Sequence, residues 1–290
     1  MRGGEDAWLH RPGKFLPAIL LCLSLIPLQK HRAPSHISFQ DDPLHVHTKA
    51  TWPARDDRRA PAVWLGIFWI FIGFGFGFDL KNYLHESPPV PVIVHVHAVV
   101  ATLWLLIFTG LVLLVEIGNV KLHRTLGWFA AYFAISIVIL APWAQVAWQV
   151  ANLHTPDALP PEFLSIAFTG PLCFAILLPW GVSLRRNPAA HRRVLILSTI
   201  AMTDPGFARL VSLFVHPQTT IFGQYLFFFG GTLFLMLLML AWDWHKGRLM
   251  KQFLQGAGLI LAVDIAGTVL FFTPAWQSFA RGWITSLARH

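Results

Sequence analysis

PVIVHVHAVVATLWLLIFTGLVLLV, residues 91–115, carries no charged side chain from end to end. As a helix rising about 1.5 Å per residue it crosses a hydrocarbon layer about 30 Å thick. Pro91 suits the first turn of such a helix, where its missing N–H costs nothing. Reading outward from this stretch gives further apolar segments at about Pro61–Phe78, Leu126–Val150, Phe163–Leu184, His191–Val215, Ile221–Ala241 and Phe253–Phe272, with Pro274 marking the end of the last. The expected fold is therefore all-α, a polytopic transmembrane helical bundle of about seven spans.

Composition supports that reading. Hydrophobic residues make up 55% of the 290 residues and charged residues 12%, about half the charged share of a soluble domain. Mean hydropathy is +0.56. The net charge of +8 would point to nucleic acid in a soluble protein. Here the basic residues sit in short loops between apolar spans, and no basic groove interleaved with aromatics is present. Topology and anionic lipid headgroups explain the charge, so the bilayer is the expected partner and nucleic acid is not. Membrane-protein partners or self-association remain open. Several of the 13 tryptophans, among them Trp64, Trp128, Trp148, Trp180, Trp242 and Trp244, lie near span ends as an interfacial belt. Cys22 and Cys173 each lie inside an apolar run and form neither a disulfide framework nor a CxxC.

The loops orient the spans. Lys121 and Arg124, then Arg185, Arg186, Arg192 and Arg193, then Lys246, Arg248 and Lys251 occupy alternate loops. These loops are expected on the cytoplasmic side of a cell inner membrane, with the polar tail before the first span inside and the C-terminus outside. Residues 60–290 form the membrane domain, and residues 1–59 form an N-terminal extension. In the extension, Phe15–Leu28 is too short to span and lacks a small-residue cleavage site after it. It is read as a non-spanning segment, followed by a flexible polar tail.

Gly73 and Gly77, in the run GFGFGF, make a small-xxx-small pair that would let another helix approach. Gly127, Ala130, Ala134 and Ala141 form a small-residue stripe below His123, again expected at a helix contact. His97 shares a helical stripe with Ala101, Trp104 and Phe108, which reads as packing, whereas His95 points about 200° away from it. GNVKLHR and RRNPAAHRR join two successive hairpins. Setting His123 on His191 also sets Asn119 on Asn187 and Arg124 on Arg192. This weak parallel repeat suggests a four-helix core from spans 2 to 5. His123 and His191 then enter at one depth, and His95 and His97 are secondary ligand candidates. A facing imidazole pair could hold haem b axially. No ligand motif of fixed spacing occurs, so no metal site is assigned.

Asp204, Arg209 and Asp264 are the ionisable residues deepest in the spans, where a charge is costly and faces a partner or a wet cavity. Pro205 and Gly206 follow Asp204, so a broken helix with an acid at the break is expected. The three form either an ion pair across helices or a transport site. No Walker loop, GxGxxG, HExxH or GxSxG is present, which leaves a hydrolase or soluble-type enzyme without support.

HVHAVVATLWLLIF, KLHRTLGW, NPAAHRRVLILSTIAM and TPAWQSFARGW together resemble a family of bacterial multi-pass membrane proteins, filed as domain of unknown function 2306. The resemblance covers about Ala60–Trp283. It implies a multi-pass membrane domain, gives no established activity, and places the family's histidines and tryptophan at His95, His97, Trp104, His123 and His191. AWDWHKGRLMKQF departs from the family pattern, which leaves His245 without a role. Three functions remain open: a haem-linked protein for electron transfer or haem handling, a small-solute or proton-coupled transporter, and a membrane scaffold.

Overall fold

The structure, a computed structural model, describes residues 55–156, 158–215 and 220–289. The apolar segment at Phe15–Leu28 and most of the polar tail lie outside them. Among the described residues the chain is α-helical: α1 (Arg55–Leu84), α2 (Val92–Glu116), α3 (Val120–Ala151), α4 (Leu164–Ala167), α5 (Thr169–Ser183), α6 (Pro188–Ile200), α7 (Asp204–Ser212), α8 (Ile221–His245), α9 (Lys251–Phe271) and α10 (Pro274–Leu287). Short 3-10 turns precede α4 and follow α5. Six segments are long and apolar enough to cross a membrane, and α6 with α7 makes a seventh, bent by 44°.

The helix starts follow from local chemistry. Asn119 and Asn187 sit at the N-caps of α3 and α6, and their side chains accept from Leu122 N (3.1 Å) and Ala190 N (3.3 Å). Thr220 caps α8 in the same way, accepting from Gly223 N at 3.1 Å. Each cap satisfies a first-turn N–H that has no partner within the helix. Gly118, with φ of 79°, makes the tight reversal between α2 and α3 that a side-chain-bearing residue resists.

Packing then assembles the bundle. α2 and α3 lie along one another, as do α5 and α6, and α3 packs on α5. The last span, α9, lies against α4, α5, α6 and α8, while α1 packs on α2, α6 and α7. The interior is filled by Phe68, Phe174, Leu177, Leu197, Ile200, Leu235, Phe253 and Ile260, all fully buried. Trp104 is buried and meets Phe174 edge-on at 5.2 Å. Tyr132, Ile135, Ile139 and Trp143 are exposed along α3. Such an apolar outer face suits lipid and not water.

The glycines differ from the sequence expectation. Gly73 and Gly77 have open space where a Cβ would stand. The close approach is made by Gly75 instead, where a Cβ would fall 2.2 Å from Gly206 O. Gly206 is equally tight, with Phe71 O 2.9 Å from its would-be Cβ. The turn of α1 that faces α7 is the one carrying Gly75, so the spacing was read on the wrong face. On α8, Gly231 meets the Phe207 ring in the same manner. Along α3, Ala130 and Ala134 are buried. Gly127 is looser, with Leu111 at an ordinary 3.9 Å from its would-be Cβ.

Pro274 ends α9 and also opens α10, a helix the sequence reading left unassigned. Trp276, Phe279 and Trp283 form a ring ladder along it, with centroids 5.6 and 6.0 Å apart. Arg281 ties it to the bundle by bonds of 3.0 and 2.6 Å to Glu162. That contact raises the Arg281 pKa above the ordinary value, first through its hydrogen bond to the carboxylate and then through the charge itself.

Gly75→Val drives a side chain into the α7 backbone and should lower stability by about 3 kcal/mol or abolish folding. Gly73→Ala and Gly77→Ala should stay within about 0.5 kcal/mol of the parent. Thermal unfolding of detergent-solubilised protein distinguishes these outcomes. Equal effects at all three positions would refute the assigned α1–α7 contact.

Candidate functional site: a carboxyl pair at a helix break

α6 ends at Ile200, and α7 begins at Asp204 with Pro205 in its first turn. Pro205 has no N–H to continue the ladder, so the chain turns through Ala201–Thr203 inside the bundle. The carbonyls at the break find hydroxyls. Ile200 O accepts from Thr203 Oγ1 at 2.7 Å and lies 3.2 Å from Thr232 Oγ1 of α8. Gly170 of α5 lets its helix close on the break, since a Cβ there would stand 2.7 Å from Ala201 O.

Asp204 stands at this break on α7, and Asp264 of α9 is near enough to interact with it electrostatically. Asp204 is hydrogen-bonded to the Thr232 hydroxyl. Asp264 is 1% exposed, its Oδ2 has no hydrogen-bond partner, and the Thr169 hydroxyl of α5 lies against its carboxyl. Gly267, one turn further along α9, permits this contact, because a Cβ there would meet Thr169 Cγ2 at 2.5 Å. Tyr225 of α8 and Cys173 of α5 both feel the two carboxyls. Four helices thus place one titratable group each around the break. Asp264 is seven residues from the end of α9, which is about 10 Å below it.

Both deep arginines are engaged elsewhere. Arg209 donates to Asp79 of α1 at 2.8 Å and stacks over the Phe76 ring at 4.4 Å. Its ion pair is partly open, with side chains 38% and 35% exposed. Sequence reading grouped Arg209 with the two acids, whereas the bend at Ala201–Thr203 turns it outward to α1. Arg193 donates from Nε and Nη2 to the two oxygens of Asp243, at 2.6 and 2.8 Å, and both residues are buried. The sequence had counted Arg193 among the loop charges. Its neighbours Ala190, Val194 and Leu197 are fully buried, and that inward face was the available signal.

The histidines form two separate groups. His123 and His191 lie at the end of the bundle that carries the basic loops and are close enough to interact electrostatically. His123 Nδ1 bonds Leu111 O at 3.0 Å, and His191 Nδ1 bonds Gly181 O at 2.7 Å. Each ring is thereby clipped to the preceding helix, and the Asn cap, His clip and following Arg recur in both hairpins. His95 is exposed at the opposite end of α2 and bonds the Tyr83 hydroxyl. Tyr83 itself titrates above its ordinary value, because of burial first and the charge of Glu86 second. His97 Nδ1 and Trp104 Nε1 are buried without a partner. Among the described residues no three His, Cys, Asp or Glu side chains gather as a metal site. Comparison with protein-family models, with curated proteins and with solved structures finds no match to this chain.

Proposed function

We propose that the chain is a proton-coupled membrane transporter for a small solute, with Asp204 and Asp264 as the proton-bearing pair. The observation that carries this reading is an acid at a helix break inside the bundle, with a second carboxyl near enough to interact with it, while both deep arginines are paired elsewhere. Two like charges that interact in a low-dielectric interior disfavour one another, so the pair favours a bound proton or cation. The Thr232 hydroxyl supports a proton. It has one hydrogen yet contacts both Ile200 O and Asp204. Both contacts are satisfied when Thr232 donates to the carbonyl and a protonated Asp204 donates to Thr232. Broken helices whose freed backbone lines an internal site are a recurrent device for coupling ion and solute.

The infrared spectrum of purified protein in deuterium oxide at neutral pH should contain a protonated-carboxyl C=O band. Asp204→Asn and Asp264→Asn should each diminish or remove it. A wild-type spectrum with only ionised carboxylates, unchanged in either variant, would end this reading.

The basic end of the bundle is assigned to the cytoplasmic side of a bacterial inner membrane, from the loop charges. Reporter fusions after Lys121, Arg186 and Arg248 should read cytoplasm, and a fusion after His154 should read the outside. The reverse pattern would invert the assignment.

A second reading draws on the twin histidine clips. In both rings Nδ1 is bonded to a backbone carbonyl, the arrangement that fixes the tautomer and presents Nε2 as a ligand. The donor set is of the kind that holds haem b: His123 and His191 would be the axial ligands, and Arg185 and Arg192, whose charges act on His191, would be the candidates to meet propionates. Haem would add one-electron chemistry. Protein expressed with haem supplied should show a Soret band that His123→Ala and His191→Ala each remove or shift. A wild-type spectrum with no such band eliminates the haem reading.

A further inference from the structure

Between the carboxyl pair and the end of the bundle opposite the basic loops lies a second core of aromatic rings. Ile166, Phe227, Phe228 and Phe229 are buried there, with Phe163, Tyr225 and Phe271 packed against them. Phe228 contacts both Phe163 and Phe227 at 4.9 Å between centroids. Two polar atoms without partners are buried on this same stretch of α8, Gln224 Oε1 and the Tyr225 hydroxyl. Gln224 is 4% exposed. It shares a stripe of α8 with Phe228 and Thr232, at i, i+4 and i+8, so its side chain stands on the face that carries the Asp204 partner. Asp264 Oδ2 is a third buried atom without a partner. Gln224 and Tyr225 lie three and four residues from the start of α8, and Asp264 seven from the end of α9, a helix that runs back along α8 in contact with it, so the three stand toward the same end of the bundle.

Buried polar groups are rarely left unpaired, and each exception asks for an occupant. These three define one. Asp264 Oδ2 and Gln224 Oε1 accept, Tyr225 can accept or donate, and the carboxyl pair favours positive charge. The surrounding ring faces attract a cation but offer no lone pairs. A carboxylate or phosphate would bring acceptors to acceptors. A bare sodium ion would need oxygen ligands on several sides, which the aromatic wall does not supply. An ammonium group brings three N–H donors and one charge.

We propose that this site binds the ammonium head of a small protonated amine, admitted through the aromatic core and held by Asp264, Gln224 and Tyr225. The inference rests on the transporter reading and names its substrate class. The exchange balances: the ammonium group enters with one positive charge, and the proton shared by Asp204 and Asp264 leaves to water. No bond within the amine is made or broken.

The test uses the purified full-length chain in weakly buffered detergent solution, with methylammonium as the probe. A pH-indicating dye reads proton release, and thermal unfolding reads binding. Methylammonium should bind saturably and release up to about one proton per chain. Tetramethylammonium, which has the charge without the donors, and sodium should do neither at equal concentration. Tyr225→Phe and Gln224→Leu should each weaken methylammonium binding by about tenfold, the worth of one hydrogen bond to a charged group. Asp264→Asn should abolish it. Equal responses to methylammonium, tetramethylammonium and sodium, or binding untouched by all three substitutions, would overturn the proposal. If methylammonium fails while the protonated-carboxyl band is present in the wild type and lost in Asp264→Asn, the amine is wrong and the proton-bearing pair stands. If the band is absent as well, both fall.

Discussion

A helix that stops inside a bilayer leaves carbonyls with no water to accept from, and every such group must be satisfied by the protein itself. The break at Ala201–Thr203 obeys that constraint through side chains. Thr203 donates to Ile200 O at 2.7 Å, and Thr232 reaches the same carbonyl from α8. Within α6, Ser198 and Thr199 both donate to Leu195 O, at 2.8 and 3.1 Å. Hydroxyl groups are therefore concentrated where α6 gives way to α7. Asp204 occupies the first position after the break, so the group bonded to the Thr232 hydroxyl is an acid. The site and the break are one structure.

Charge pairing divides the bundle along its length. Arg193 and Asp243 neutralise one another in the interior near the basic loops. A pair buried to that extent is costly to form and more costly to strip of one partner. Toward the other end, Arg209 with Asp79 and Arg281 with Glu162 join α7 to α1 and α10 to the turn before α4. The acids left over, Asp204 and Asp264, lie between these levels. Pairing among the others leaves these two beside hydroxyls, Thr232 and Thr169, and not beside an arginine.

The spans were legible because hydropathy and length are properties of single segments. The break was legible too, since Pro205 and Gly206 announce it locally. The Asn, His and Arg positions recur in the sequence, but the histidine bonds themselves, though they reach only 12 and 10 residues back, were not among its expectations. What remained hidden depends on which face of each helix turns inward. Arg209 and Asp79 stand 130 residues apart, and nothing in either segment names the other. In α1, Gly73 and Gly77 have the expected spacing, while Gly75 between them makes the contact. Glycines at alternate positions offer every face of the helix, and spacing alone cannot choose one. Gln224 and Tyr225 were hidden for a related reason. A polar residue near a span end reads as interfacial until the helices that cover it are in place.

The crossing of α1 and α7 at Gly75 and Gly206 has a mechanical consequence. Backbone lies on backbone there, and side chains flank the contact on both sides: the Phe71 and Phe207 rings stand 5.8 Å apart, and Arg209 of α7 is bonded to Asp79 of α1. A joint of that kind resists separation and sliding, because the nearest atoms are main-chain and cannot yield. It resists rolling as well, since the paired rings and the Arg209–Asp79 bond brace it to either side. The segment that carries Asp204 is thus fixed in height and angle on α1, so α1 and α7 form one rigid strut with the acid at its inner end.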